Sequence, residues 1–341
     1  MRIRNTVVAL IVVGVVAALL LWIRLSAQSP EGRALADNPS TPSTSNAAPS
    51  PGQSPTANAL QTQATESVEA ELFERIRALC AGADGEVGVA VTHVETGRGA
   101  SIQGAKPLPL YSVFKLPLAV TVLKDVEENR LRLDQKVRVT PEEAAPGWKG
   151  NSDLWRKPSE RTVAELLEFS LVRSDNTSSD KLLQLIGGPA VVTERMRSLG
   201  IQNIDIHSST REFAEHRENP NTGTASDLAQ LLARLQQGEV LQPPQLTLLL
   251  GLMGRATTGE KRLRGDLPSG TPVADKTGTG EPGSSTNDVG LITLPDGKGH
   301  LAMAVLISGS KASAEAQEKL IAQLARAAYD ALVSRTAPGK Q

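Results

Sequence analysis

The sequence predicts an α/β fold of the α+β type: an antiparallel sheet built from both termini and flanked by helices, beside an all-helical lobe. Helical patterns dominate residues 112–255, and alternating apolar strands lie on both sides of them, at 86–94, 100–103, 271–274, 288–293 and 301–308. Strands at both ends of a chain with helices inserted between them favour this architecture. The cleft between two such lobes is a suitable place for a small-molecule site.

The elements are predicted from apolar periodicity and from turn residues. A helical pattern with Val68, Leu72, Ile76 and Leu79 on one face opens the globular part, and a Pro295-Asp296-Gly297 turn joins the last two strands. Further helices are predicted at 114–127, 162–172, 177–186, 190–199, 226–235 and 312–333. No internal repeat is visible.

The N-terminal segment has the pattern of an export signal. Arg2 and Arg4 precede an uncharged run, Thr6–Ile23, which Arg24 closes. Such a run is long enough to span a bilayer as a helix, and the basic flank predicts a cytoplasmic amino end. Residues 1–26 are therefore predicted as a signal-anchor, with a cleaved signal peptide as the alternative. The body is expected in the periplasm or another extracytoplasmic space, tethered to the inner (cytoplasmic) membrane.

Composition divides the rest of the chain. Residues 27–66 contain stretches of proline, serine and threonine without charges or large apolar side chains, which is typical of a disordered linker. Residues 67–334 have the mixed composition of a globular domain, and 335–341 are predicted as a flexible tail.

Charge and cysteine content narrow the classes of partner. The formal net charge of −1 gives no electrostatic reason to expect nucleic acid. The single cysteine, Cys80, excludes an internal disulfide. The histidines show no metal-ligand spacing, so no metal or other cofactor is expected.

The first motif is Ser112-Val113-Phe114-Lys115. A serine at the start of a helix with a lysine one turn later puts a hydroxyl and an amine on one face, where the lysine can activate the hydroxyl as a nucleophile. Ser178 with Lys181 and Ser308 with Lys311 have the same spacing. Only Ser112 opens an apolar helix soon after a predicted hairpin, and this context singles it out.

The second motif is Ser174-Asp175-Asn176, which directly follows an amphipathic helix. Taken alone, all three residue types are also common at helix caps.

The third motif is Lys276-Thr277-Gly278, followed by Thr279 and Gly280, at the end of a predicted strand. Small and hydroxyl residues there allow a substrate backbone to approach closely, although an ordinary strand end with a solvated lysine has the same pattern.

Together, in this order and at these separations, the three motifs resemble those of the penicillin-recognising serine enzymes, and most closely the class A β-lactamases. The resemblance extends over residues 68–334 and implies a β-lactamase/transpeptidase-like fold. Tyr111 before the first motif and Thr257-Thr258-Gly259 are most similar to the extended-spectrum, cephalosporin-hydrolysing branch of that class.

The resemblance implies a role for each motif. Ser112 would be acylated by the β-lactam, Lys115 would exchange its proton, and Ser174 would pass a proton to the lactam nitrogen. The backbone N–H groups of Ser112 and Thr279 would form the oxyanion hole. The residues that would bind the substrate's amide and carboxylate, or line the cleft, are Asn176, Lys276, Thr277, Gly278, Thr279, Arg262 and Trp148.

The resemblance is weakest at the base for deacylation. The usual Glu-x-x-Leu-Asn pattern of class A is absent between the second and third motifs. The extended-spectrum branch has a glutamate four residues before a histidine in this loop, and Glu212 with His216 fits that spacing. Glu212 is therefore the predicted base and Glu215 the reserve; a charged, solvated loop is the structural alternative.

The predicted function is hydrolysis of the β-lactam amide of penicillins and cephalosporins by a monomeric enzyme, giving antibiotic resistance. Two alternatives share the fold: a D-alanyl-D-alanine peptidase or esterase, and a non-catalytic penicillin-sensing module. The intact serine and lysines of the three motifs argue against the last, because a binding-only site does not need an activated nucleophile.

Overall fold

The computed structural model describes residues 57–146, 153–281 and 284–333. The predicted signal-anchor, most of the predicted linker, Trp148 and the predicted tail lie outside these residues. In the part of the chain that is described, no helix combines the length and the apolar character needed to cross a membrane.

Helices and strands alternate in blocks along the described chain. The α-helices are α1 (Ala57–Ala81), α2 (Lys115–Glu127), α3 (Val163–Val172), α4 (Asn176–Ile186), α5 (Pro189–Ser198), α6 (Thr210–Glu215), α7 (Ala225–Gln236), α8 (Pro243–Gly254) and α9 (Ala314–Val333). The strands are β1 (Glu86–His93), β2 (Gly99–Ile102), β3 (Leu108–Pro109), β4 (Lys136–Val139), β5 (Ser159–Thr162), β6 (Ile204–Asp205), β7 (Thr222–Gly223), β8 (Val273–Thr279), β9 (Ser285–Thr293) and β10 (His300–Ser308). Short 3₁₀ turns lie at Tyr111–Phe114 and Pro141–Glu143.

The main sheet has five strands in the order β2-β1-β10-β9-β8, and all neighbours are antiparallel. The first two strands come from the N-terminal side and the last three from the C-terminal side of the helical block. The predicted fold class is therefore confirmed. Hydrogen bonds between β1 and β10 join the N-terminal and C-terminal strands into one sheet, although the two strands are about 200 residues apart in the chain.

Both faces of this sheet are buried, which explains why its central strands are almost continuously apolar. Along β10, Leu301, Met303, Val305 and Ile307 pack with α1 and α9 on one face. The intervening Ala302, Ala304 and Leu306 belong to the core shared with the helical block. Small residues on this second face leave room for the helices that carry the site.

Helix α2 is the buried centre of the helical block. Residues 115–123 of this helix are buried all round, as expected for a helix that is surrounded by other elements rather than lying on the surface. Its N-terminus follows the Tyr111–Phe114 turn directly, so the start of the most buried helix is also the position of the predicted nucleophile.

Some elements differ from the sequence prediction. Helix α1 begins at Ala57, inside the segment predicted as linker, because residues 57–67 lack glycine and proline and contain good helix formers. Helix α8 was not predicted, since its leucines follow one another without a clear helical period. Strands β4 and β5 pair with each other over four residues and also escaped the prediction.

Asn287 on β9 provides a test of how the sheet is joined to the nucleophile turn. Its buried side chain donates to the carbonyl oxygens of Pro109 (2.8 Å) and Leu110 (3.2 Å) and accepts from Ile307 N (3.0 Å). Asn287→Ala leaves these groups without partners, so we expect the free energy of unfolding to fall by at least about 2 kcal/mol. Urea denaturation measures it. The exposed Asn219→Ala is the control, and an unchanged midpoint for Asn287→Ala would contradict the assignment.

Candidate active site

Ser112 lies in the 3₁₀ turn that leads into α2, and the backbone immediately before it is strained. Tyr111 has φ = +48°, a left-handed conformation that is uncommon for a residue other than glycine. Val113 N donates to Leu110 O (3.1 Å), and the Asn287 side chain holds the same carbonyl from the sheet side. Such strain persists only where the surroundings enforce it, and it is concentrated at functional sites.

Lys115 is fully buried one turn after Ser112. Its Nζ donates to Ser174 O and to Asn176 Oδ1, both at 2.7 Å, and makes a longer contact of 3.4 Å with Ser174 Oγ. A buried ammonium is costly unless every donor has an acceptor. The second motif supplies all three acceptors, so the first two motifs form one unit.

The second motif both caps helix α4 and contributes side chains to the candidate active site. Asp175 caps α4, because its Oδ1 accepts from Ser178 N (2.7 Å) and Ser178 Oγ (2.6 Å). Trp155 Nε1 donates to the same carboxylate at 3.1 Å. Ser174 itself has φ = +53° at the α3–α4 junction. The helix-cap explanation therefore holds for the middle residue, while the flanking Ser174 and Asn176 face Lys115.

Lys276 on β8 completes the group from the opposite side. Its fully buried Nζ donates to Ser174 Oγ (3.0 Å) and to Thr277 O (2.9 Å). The Ser174 hydroxyl thus accepts from Lys276 and, at the longer distance, from Lys115. A serine hydroxyl has two acceptor positions and one proton. The Ser174 hydroxyl can therefore donate its own proton to a substrate while it accepts from Lys276.

Strand β8 is packed directly against the nucleophile turn. A Cβ on Gly278 would collide with Leu110 O and come within 3.1 Å of a Val113 methyl group. Only glycine permits this approach, which places the third motif beside Ser112. The three motifs predicted from the sequence therefore meet in one site, at the junction of the sheet and the helical block.

Burial lowers the pKa of both lysines. The pKa of Lys115 lies well below its usual range, first because of desolvation and then because of the Lys276 charge, although Asp175 and Asp180 oppose the shift. Desolvation lowers the pKa of Lys276 to about 8, against the opposing charges of Asp275 and Asp288. Burial thus favours the neutral amine at Lys115, whereas Lys276 loses its charge only as the pH rises through about 8.

Hydroxyl groups line the end of β8 next to Lys276. Thr277 Oγ1 lies 2.7 Å from Thr258 Oγ1, and Thr279 Oγ1 accepts from Arg262 Nη2 at 2.8 Å. Arg262 is buried and also donates to Gly278 O (3.1 Å) and Asn287 O (3.0 Å). Its guanidinium therefore joins β8 to β9. It contacts the site at the Thr279 hydroxyl.

Comparison with known proteins agrees with this arrangement. A profile of the β-lactamase enzyme family matches residues 71–332. The chain is 35% identical over 270 residues to the extended-spectrum β-lactamase PER-1 of Pseudomonas aeruginosa, covering 76% of this chain and 86% of that protein.

The chain belongs to the β-lactamase enzyme family. Solved structures extend the similarity to the fold. A β-lactamase from Chitinophaga pinensis is 34% identical with a TM-score of 0.74, covering 76% of this chain and 98% of that one. The TLA-3 extended-spectrum β-lactamase is 32% identical with the same TM-score, covering 79% and 99%. An ancestral class A β-lactamase is 33% identical (TM-score 0.69), covering 76% and 99%. The protein is a class A serine β-lactamase.

The loop of the predicted deacylation base has an unexpected arrangement in this β-lactamase. Glu212 is exposed on α6, and its Oε2 accepts from Ser209 N (2.7 Å) and Ser209 Oγ (2.9 Å) as a capping box. The hydrogen bonds that Lys115 donates go to Ser174 and Asn176 and not to Glu212. The sequence prediction did not foresee this cap, although Ser-x-x-Glu is its usual pattern. Glu215 is also exposed, at the other end of α6.

Two carboxyl pairings around the site were missed from the sequence. Asp180 on α4 accepts from Thr210 N (2.8 Å) and Arg211 N (3.1 Å), so it anchors the start of α6. Asp275 and Asp288 are buried together beside β8, where desolvation raises the pKa of both. The local sequence pattern predicts neither arrangement, because each depends on contacts between separate elements.

The lysine pKa values predict a bell-shaped pH profile for kcat/KM, which reports the free enzyme. The predicted role of Lys115 as proton acceptor needs its neutral form, so kcat/KM should rise with pH through the lowered pKa of Lys115. Activity also requires cationic Lys276, so kcat/KM should fall again as pH rises through about 8. Initial rates with benzylpenicillin between pH 5 and 10 measure both limbs.

Lys276→Arg is the diagnostic variant for the alkaline limb. Arginine stays charged throughout this pH range, so the limb should move to higher pH even if kcat/KM is lower. An alkaline limb that stays near pH 8 in Lys276→Arg would assign it to another group.

Proposed function

We propose that this β-lactamase opens penicillins and cephalosporins through an acyl-enzyme on Ser112 and so confers β-lactam resistance. The observation that carries the proposal is the chain of hydrogen bonds from Lys115 through Ser174 to Lys276. It links the fully buried Lys115, one turn after Ser112, with the Ser174 hydroxyl, which can donate its own proton while it accepts from Lys276.

Acylation follows from this chain. Neutral Lys115 takes the proton of Ser112 as Oγ bonds to the lactam carbonyl carbon. The C–N bond then breaks, and the nitrogen receives the proton of Ser174. Lys115 returns a proton to Ser174 across their 3.4 Å contact, so protons balance and Lys276 keeps its charge throughout.

Substrate binding uses the end of β8 and the second motif. Lys276 and the hydroxyl of Thr277 bind the substrate carboxylate, and Arg262 acts through Thr279, whose hydroxyl it orients at 2.8 Å. Gly278 lets the substrate approach the strand. The N–H groups of Ser112 and Thr279 stabilise the developing oxyanion. Asn176 contributes its side-chain amide.

Deacylation requires Glu212 to leave its cap. The exposed carboxylate can rotate on a fast timescale, and water can then replace it at the exposed Ser209 groups. Directed at the acyl-enzyme, Glu212 takes a proton from water as the water oxygen attacks the ester carbon. The bond from that carbon to Ser112 Oγ then breaks, and Glu212 passes the proton to Oγ, which restores the hydroxyl and the carboxylate.

Mass spectrometry of the intact protein tests the two steps. With benzylpenicillin, Glu212→Ala should form the Ser112 adduct at a normal rate but lose it at least about 100-fold more slowly than the parent enzyme, because the general base is missing. Glu215→Ala, three residues along the same exposed helix, is the matched control and should turn over normally.

The other outcomes are equally informative. Ser112→Ala should form no adduct at all. A stable adduct on the unmodified enzyme would favour the D-alanyl-D-alanine peptidase or esterase alternative. Full turnover by Glu212→Ala with loss in Glu215→Ala would transfer the base to Glu215.

The proposal includes an extracytoplasmic location with an N-terminal membrane tether. It rests on the apolar run Thr6–Ile23 between Arg4 and Arg24. Expressed in a Gram-negative host, the full chain should sediment with the inner membrane while its domain is digested by protease in spheroplasts. Removal of residues 1–26 should leave the protein in the cytoplasm; a soluble periplasmic form of the full chain would indicate a cleaved signal instead.

A further inference from the structure

We propose that Phe213 is a positioning residue for deacylation, which holds α6 and its Glu212 against the nucleophile turn by packing on Tyr111. The inference rests on the proposed function, since it concerns the base of that reaction. The juxtaposition that carries it is an aromatic pair joining the residue before Ser112 to the residue after Glu212.

Tyr111 has a fixed position. Its left-handed backbone (φ = +48°) precedes Ser112 directly, and its ring lies over Gly280 at the end of β8. A Cβ on Gly280 would come within 2.5 Å of Tyr111 Cζ and 2.7 Å of its hydroxyl oxygen. The ring is therefore seated between the nucleophile turn and the strand that carries Thr279.

Phe213 packs on this seated ring. The two ring centroids are 6.1 Å apart and the planes meet at 77°, the edge-to-face geometry that aromatic pairs favour. Phe213 is partly buried and follows Glu212 on α6. A shift of the Phe213 ring therefore moves the backbone of the proposed base.

Helix α6 needs such a contact because six residues are too few to form a stable helix alone. Its start is anchored to the helical block, where Asp180 accepts from Thr210 N and Arg211 N. Arg211 Nη2 donates to the carbonyl oxygens of Glu142 (3.1 Å) and Ala144 (2.9 Å) in the same region. Phe213 ties the helix to the nucleophile turn instead, from the other side.

A positioning role for Phe213 and general damage to the fold predict different effects on acylation and deacylation. In Phe213→Ala, stopped-flow single turnovers with a chromogenic cephalosporin should show acylation within about threefold of the parent enzyme. Deacylation should be about 10- to 100-fold slower, because small displacements of a catalytic group have effects of this size. The acyl-enzyme should accumulate and be visible by mass spectrometry.

Four further variants complete the test: Phe213→Tyr, Phe73→Ala, Tyr111→Ala and the double variant of Tyr111→Ala with Phe213→Ala. Phe213→Tyr keeps the ring and should deacylate normally. Phe73→Ala, the same truncation on the exposed surface of α1, should leave both rates and the melting temperature unchanged. If the pair acts as a unit, Phe213→Ala should slow deacylation further by less than about twofold when Tyr111 is already alanine.

The proposal is overturned if Phe213→Ala deacylates at the parent rate, or if acylation and deacylation fall by the same factor. It is also overturned if Phe213→Tyr is as slow as Phe213→Ala. Failure of the proposed function would give a different result, because the unmodified protein would then form no adduct or would never release one. In that case this inference would also be wrong.

Discussion

The structure depends on one hydroxyl held between two buried lysine amino groups. Ser174 Oγ lies 3.0 Å from Lys276 Nζ on β8 and 3.4 Å from Lys115 Nζ on α2. Burying two amino groups is costly, and a charge on one raises the cost of a charge on the other. Carbonyl and amide acceptors and the charges of nearby aspartates offset it. Since the lysines belong to different elements, this arrangement forms only when sheet and helices meet.

Backbone strain is placed on both sides of that contact. Tyr111 and Ser174 both have left-handed conformations, one beside the nucleophile and one at the junction of two helices. Nearby hydrogen bonds offset the strain. Asn287 donates to the Leu110 carbonyl beside Tyr111, and Asp175 accepts from Ser178 N next to Ser174. The active site is therefore pre-organised by residues that do not touch the substrate, which keeps the reacting groups in place before binding.

The loop of Glu212 is organised differently. Its short helix has no core of its own and is held by contacts from two sides, Asp180 on the helical block and Tyr111 on the nucleophile turn. The carboxylate is bonded to its own helix terminus rather than buried in the site. In the proposed reaction, acylation thus uses residues held by many buried contacts, whereas deacylation uses a residue whose position depends on a few contacts.

The strands of the main sheet, most helices and the three motifs could be predicted from the sequence, because apolar periodicity and short motifs are local properties of the chain. The sequence also predicts Ser112 as the nucleophile, since of the three serines with this spacing only Ser112 opens an apolar helix. Only the packed structure shows that Arg262 joins β8 to β9, that Ser174 and Asn176 contact Lys115, and that Lys276 reaches Ser174. These roles depend on which distant groups come within hydrogen-bonding distance, and that is fixed only when the sheet and the helical block pack together.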